Sequence, residues 1–236
     1  MSDLNIKEIK IEEAKFRNFN DFEISLKRDG TLIYFVDKFL LSSRKVNRSD
    51  RFKQILEILE KSDFPNCYGE MYIEGGKVFD VSSKKNWGNV KFMPIDLFNS
   101  TLKYSERQKI ITEKIKETNN ELITEKIRFS NIDEGWNYVL KNNEEGLILK
   151  NDYEWYKIKV LCEAKIKIKE WERGEDKGTF ILENGNRISG TSKGYVEIFL
   201  QALKENKEAI AEIEYPYLTE EGHYFQPRLR RIEVVK

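Results

Sequence analysis

Short runs of β-branched, aromatic and aliphatic residues, each closed by a turn signal, recur along the whole chain and restrict it to small sheets rather than a helical bundle. Residues 22–27 read as a strand ending at the turn pair Asp29-Gly30, and Thr-Leu-Ile-Tyr-Phe-Val at 31–36 as the strand that follows. Residues 39–43, 67–73, 77–81, 90–98, 145–150 and 154–160 have the same texture, with 67–73 and 77–81 placed on either side of Gly75-Gly76. Helical spacing is confined to a few segments. Residues 49–61 open on Ser49 as N-cap and set Phe52, Ile55, Leu56 and Leu59 on one face, and 105–116 and 132–141 are further helices. Beyond Val160 the strands shorten: 164–170, 179–182, a hairpin turn at Asn184-Gly185-Asn186, a helix at 195–204, then strands at 209–215 and 228–235. The expected class is α+β, with a domain boundary near Cys162 and a last portion that suits a small five-stranded barrel.

Several functions are excluded by what is scarce. With one histidine, His223, the chain cannot build a His-based triad or a multi-histidine metal site. Its two cysteines, Cys67 and Cys162, stand in unrelated contexts, give neither a disulfide framework nor a CxxC pair, and suit a reducing compartment. No apolar run approaches the roughly 20 residues that cross a bilayer, and the N-terminus lacks the apolar core of a secretory signal, so a cytoplasmic protein is expected. Acidic residues crowd 204–221, and basic ones crowd 150–169 and 228–231, although 41 basic and 41 acidic residues cancel overall. A local basic face, not the total, decides whether such a chain meets nucleic acid. The remaining chemistry must run on Lys, Glu, Asp and Arg.

Four segments carry those residues in suggestive places. Lys27-Arg28-Asp29-Gly30 sets a lysine at a strand end beside a turn, and lysine becomes a nucleophile when its pKa is lowered. Tyr68-Gly69-Glu70-Met71-Tyr72 places a carboxylate inside an apolar strand, where it needs a partner or a cation. Glu145-Gly146-Leu147-Ile148-Leu149-Lys150 begins a strand with a carboxylate, and Lys157-Ile158-Lys159 puts two lysines on one strand face. Singly, each is more often an ordinary solvated charge. The stretch Gly174 to Gly178 is glycine-bearing but lacks the GK[ST] ending of a phosphate loop and reads as a connection between strands.

In this order the segments resemble the covalent nucleotidyltransferase superfamily of DNA ligases, RNA ligases and capping enzymes. Lys27 to Gly30 resembles its motif I, Ser43-Arg44 motif Ia, Gly69-Glu70 motif III, Phe92-Met93-Pro94-Ile95-Asp96-Leu97 motif IIIa, Glu145 to Lys150 motif IV, and Lys157 to Lys159 motif V. The end of the chain, with Glu183-Asn184-Gly185, Tyr215-Pro216-Tyr217-Leu218 and Pro227-Arg228-Leu229-Arg230-Arg231-Ile232, is similar to the OB domain of ATP-dependent DNA ligases. The resemblance is to the minimal two-domain phage and viral type. It implies an adenylation domain over residues 1–161, with antiparallel sheets and flanking helices, and an OB-fold domain over 162–236.

The same resemblance implies a mechanism. Lys27 takes AMP from ATP, Lys157 and Lys159 stabilise the α-phosphate, Phe92 stacks on adenine, and Arg44 contacts the ribose or phosphate side. Ser25 and Leu26 flank the nucleotide. Glu70 and Glu145 hold Mg²⁺, for which Mn²⁺ can substitute, and Glu70 also meets the ribose. Arg228, Arg230 and Arg231 contact DNA phosphates. It further implies nick sealing in duplex DNA during repair, replication or recombination, a monomer, and host cytoplasm for a phage-encoded chain. Three departures are visible. Leu32 stands where DNA ligases carry an arginine, and Thr31-Leu32 is seen more in RNA ligases. Ser25 replaces a glutamate that reads adenine, with Glu23 on the same strand face as its substitute. The interval from Lys150 to Lys157 is short. An RNA ligase, a capping-type guanylyltransferase using GTP, and a non-catalytic nucleic-acid-binding protein therefore remain open.

Overall fold

The computed structural model describes residues 6–174, 178–219 and 221–235, so residues 175–177 of the glycine-bearing stretch lie outside the described residues. Contacts divide the chain into two compact units, Met1–Lys159 and Val160–Lys236.

The first unit holds two sheets. One has the order β1 (Ile6–Glu8), β9 (Trp155–Lys159), β8 (Gly146–Lys150), β2 (Glu23–Lys27) and β7 (Arg128–Phe129). Only β1 runs parallel to its neighbour; the other pairs are antiparallel. The second sheet is antiparallel, in the order β4 (Phe39–Ser42), β3 (Thr31–Val36), β5 (Cys67–Tyr72), β6 (Lys91–Leu97).

Strand alternation sorts the side chains of the second sheet. Ile33 and Phe35 face one way and pack with Ile55 and Leu59 of α2 (Lys53–Lys61) and Ile111 and Ile115 of α4 (Tyr104–Thr118). Tyr34, Tyr68, Tyr72, Met93 and Ile95 face the other way, toward Ile148 and Trp155 of the first sheet. The outer face of the first sheet is covered by α1 (Ile11–Phe16) and α5 (Ile132–Asn142). An ion pair joins the two sheets across their interior. Lys150 Nζ lies 2.7 Å from Asp96 Oδ2, and the other oxygen of Asp96 accepts from Arg107 at 2.7 Å. Both members of the inter-sheet pair are buried, so each offsets the desolvation of the other.

Two elements differ from the sequence expectation. Residues 77–81 form no strand; they open the short helix α3 (Val78–Ser82). The Asp80 carboxylate accepts from the Lys77 backbone N–H at 2.7 Å, and this local capping bond outweighs the β-propensity of Val78, Phe79 and Val81. Helix α2 begins at Lys53, after Ser49, because the Ser49 hydroxyl accepts from the Leu40 N–H at 3.1 Å instead of capping. The small elements β1, α1 and β7, and a 3₁₀ turn at Lys84–Asn89, carried no clear sequence pattern.

The second unit is one antiparallel sheet in the order β12 (Arg187–Thr191), β11 (Gly178–Leu182), β10 (Cys162–Glu172), β13 (Glu208–Tyr215), β14 (Arg228–Val235). Its edge strands β12 and β14 come into contact, so the sheet curls on itself. Helix α6 (Lys193–Lys204) lays Val196, Phe199 and Ala202 onto Phe180, Leu182, Ala211 and Ile213. No helix among the described residues is long and apolar enough to cross a membrane.

Candidate active site

The register of the first sheet writes a site in three rows. Glu23 of β2, Lys150 of β8 and Trp155 of β9 form one row, with Lys150 in the middle; Ser25, Ile148 and Lys157 form the next row; Lys27, Gly146 and Lys159 form the third. Side chains two apart along a strand share a face, and successive rows stand about 7 Å apart at a rise near 3.4 Å per residue. This face and the facing side of the second sheet enclose a cavity of about 270 Å³, lined by Ser25, Leu26, Lys27, Arg28, Gly30, Leu32, Glu70, Met93, Ile95, Lys126, Ile148, Trp155, Lys157, Lys159 and Ile6.

The third row holds most of the charge. Glu145, just before β8, receives Lys27 Nζ on one oxygen at 2.5 Å and Lys159 Nζ on the other at 2.7 Å. All three side chains are largely sequestered from solvent. Burial disfavours the Lys27 ammonium, but Glu145 and Glu70 outweigh it and raise the lysine above its ordinary value. Burial likewise opposes the Glu145 carboxylate, and Lys27 and Lys159 overcome it, so Glu145 is held below the usual range. Glu70, from β5, is pushed up to about 8 by burial, with Lys27 pulling against it and Glu145 adding to it. In the resting site Lys27 is therefore a cation clamped by Glu145.

Two glycines make this approach possible. A Cβ on Gly30 would lie 2.3 Å from the Met71 carbonyl and 2.8 Å from Cγ of Glu70, so Gly30 serves the close packing of β3 on β5. A Cβ on Gly146 would lie 1.9 Å from the Ile158 carbonyl.

Ser25, Leu26, Lys27, Glu70, Lys157 and Lys159 thus gather at one cavity, with Glu145 bonded to two of them. Lys157 also pairs with Glu8 of β1 at 3.1 Å. Two candidates lie elsewhere. Phe92 is fully buried among Ile33, Met71 and Ile111, so it is a core residue, and its neighbour Met93 is the one on the cavity wall. Arg44 is exposed in the turn after β4 and does not line the cavity. Glu23, considered as a reader of adenine, is taken up by other partners: it accepts from Lys126, from Arg128 Nε at 2.7 Å and from Tyr104 OH at 2.8 Å. In the second unit, Arg230 is ion-paired with Glu214 and Arg231 with Glu212 at 2.5 Å, across β13 and β14.

Sequence reasoning missed Arg28, Lys126, Met93, Ile148 and Trp155. Ile148 and Trp155 could have been found, since each lies two residues from a recognised position on the same strand face. Arg28 is buried, bonds Glu144 at 2.6 Å and stacks on Tyr72 at 4.9 Å. Lys126 comes from an irregular segment with no periodic signal.

Glu70 and Glu145 offer hard oxygen donors, and no group of three or more His, Cys, Asp or Glu suited to a metal is present among the described residues. The pair fits Mg²⁺, which takes one or two carboxylates and completes its shell with water and phosphate.

Neither a family model nor a curated protein sequence matches this chain. Its structure does have close likenesses. A Lig E DNA ligase, described as binding DNA with a minimal scaffold, superposes with TM-score 0.74 at 15% identity, covering 98% of both chains. The structure described as Pmar-Lig_Pre gives TM-score 0.69 at 14% identity over 98% of this chain and 68% of its own. The ligase domain of M. tuberculosis LigD gives 0.51 at 15% identity over 98% and 94%. At these identities the likeness is one of fold, and the fold of this chain is the one that minimal DNA ligases have.

Proposed function

We propose that this chain is an ATP-dependent DNA ligase that seals 5′-phosphate/3′-hydroxyl nicks through a lysyl-AMP on Lys27. The observation that carries the reading is the Lys27–Glu145–Lys159 cluster facing Glu70 across a closed-in cavity, within a DNA ligase fold. Residues 1–161 would be the adenylation domain and 162–236 an OB-fold domain; the contact division falls two residues earlier.

Lys27 must lose its proton to act, and the resting clamp opposes that. Once neutral, its Nζ attacks the α-phosphorus of ATP; a P–N bond forms, the bond to the β-phosphate oxygen breaks, and pyrophosphate leaves. Lys157 and Lys159 stand one row apart beside Lys27 and stabilise negative charge developing on the α-phosphate. Mg²⁺ bound at Glu70 and Glu145 would supply further positive charge there and compete with Lys27 for the carboxylates. A 5′-phosphate oxygen then attacks the AMP phosphorus, the P–N bond breaks, and Lys27 recovers a proton. The 3′-hydroxyl finally attacks the 5′-phosphorus and AMP departs. Arg228, Arg230 and Arg231 would contact DNA phosphates, the last two exchanging Glu214 and Glu212 for them.

A second reading, RNA ligation by the same lysyl-AMP, is favoured by one observation: Leu32 lines the cavity as the strand neighbour of Glu70, where DNA ligases place an arginine. One experiment separates the two. Wild-type and Lys27→Ala protein are incubated with Mg²⁺ and ATP labelled at the α-phosphate, then chased with nicked duplexes carrying deoxyribose or ribose at the 3′-hydroxyl. Label on wild type alone, followed by sealing of the deoxyribose nick, is expected. Sealing of the ribose nick alone would favour RNA ligation, and no label would overturn the enzyme reading.

A further inference from the structure

The far end of the cavity from Lys27 is built differently from the reactive end. Ser25 is one row away, about 7 Å along the strand, and the Glu23 row lies the same distance beyond. Between apolar walls from Met93, Ile95, Ile148 and Trp155 this end presents the Ser25 hydroxyl and the Lys126 ammonium, while Lys157, in the Ser25 row, is ion-paired with Glu8 at 3.1 Å. Ser25 is 3% exposed and makes no side-chain hydrogen bond among the described residues. Lys126 is 7% exposed and is held by the Glu23 carboxylate and, at 2.9 Å, by Tyr104 OH. An ammonium has three donors, so one remains for a ligand.

Burying a lysine here carries a cost that the geometry keeps in place. Desolvation pulls Lys126 down to about 8 even with Glu23 beside it. Glu23 does not need Lys126 to be satisfied, because Arg128 bonds its other oxygen. A group held at the base end of a nucleotide-sized cavity, with a donor to spare, is suited to an acceptor on the ligand.

We propose that Lys126 is the residue that reads the base of the bound nucleotide, donating to a ring nitrogen of adenine while the Ser25 hydroxyl accepts from the exocyclic amine. This rests on the reading of the cavity as an ATP site. It departs from recognition of the amine by a carboxylate, since the nearby carboxylate is fully engaged. Guanine is disfavoured where the ring nitrogen read is N1, because guanine N1 carries a proton and meets the ammonium as a second donor; at N7 guanine offers the same acceptor beside its O6 and is not rejected.

The test is binding, measured by calorimetry without divalent cation so that no covalent step intervenes. ATP, GTP, purine riboside triphosphate (which lacks the amine), 1-deaza-ATP and 7-deaza-ATP are titrated into wild-type, Lys126→Met and Lys126→Gln protein. In wild type, loss of the amine is expected to weaken binding by less than about fivefold, while loss of one of the two ring nitrogens weakens it about tenfold or more, with GTP weakened likewise when that nitrogen is N1 and not when it is N7. Lys126→Met should weaken ATP by about ten- to a hundredfold and bind that deaza analogue as well as ATP, and Lys126→Gln, which keeps a donor, should recover part of the loss. A merely structural lysine would weaken all ligands alike and leave the analogue ratios unchanged, which overturns the proposal; so would equal ATP affinity in wild type and Lys126→Met. Failure of the ligase reading looks different: nucleotide binds with this selectivity, yet Lys27 takes no label when Mg²⁺ is added.

Discussion

Lys27 and Glu70 meet the same cavity and both hold their protons more tightly than usual, Lys27 as a cation and Glu70 as a neutral acid, and this has measurable consequences. Glu70 has its folded pKa raised to about 8. The folded protein thus keeps a proton that the unfolded chain releases near the ordinary value of 4.5, so the stability it contributes is present at low pH and is lost as pH rises through about 8. Glu70→Gln should remove that slope and gain roughly 1–3 kcal/mol relative to wild type at pH 8.5 but little at pH 4. Urea unfolding at the two pH values checks this, and parallel profiles would show that Glu70 ionises normally. Lys27→Arg keeps a cation for Glu145 but cannot deprotonate. It should retain a near wild-type urea midpoint and lose all covalent label from ATP, whereas Lys27→Ala leaves Glu145 with one lysine and should lose stability as well.

At the scale of elements, the three rows exist because β8 and β9 can approach within one backbone's width at Gly146. Gly146→Ala would drive a methyl into the Ile158 carbonyl, pushing Glu145 off Lys27 and Lys159. A loss of about 1–3 kcal/mol and of lysine labelling is expected. Gly88→Ala, where nothing lies within 4 Å of the added carbon, is the control and should leave both unchanged. Helix α5 is fixed by its N-cap, the Asn131 side chain accepting from the Glu134 N–H at 2.9 Å. Asn131→Ala should cost about 1 kcal/mol in chemical denaturation; α2 has no side-chain cap at Phe52 and offers no such handle.

For the whole molecule, the decisive fact is that each compact unit has its own core. The second unit buries Phe180, Leu182, Ile188, Phe199 and Ile213 against one another within Val160–Lys236. A chain of that size can fold alone. Residues 160–236 expressed separately should unfold cooperatively in urea, and a gradual, non-cooperative loss of structure would show that this core is incomplete by itself.

Much of this protein was readable from sequence because its determinants are local. Strand texture at 31–36, the spacing of Ile55 and Leu59, and the ordered charged segments around Lys27, Glu70, Glu145 and Lys159 each depend on neighbours a few residues away, and the structure brings those charges to one cavity. What the sequence missed depends on partners distant along the chain. Which of Phe92 and Met93 faces the cavity turns on the phase of β6 against β5, where the register shifts at Tyr68 and Gly69. The helix at 78–82 turns on one capping bond that competes with strand propensity. Lys126 gains its position only from Glu23 and Tyr104, 103 and 22 residues away. Local chemistry fixed the elements and the charged segments; only the packing of two sheets face to face decided which side chains stand between them, because that depends on register and not on residue type.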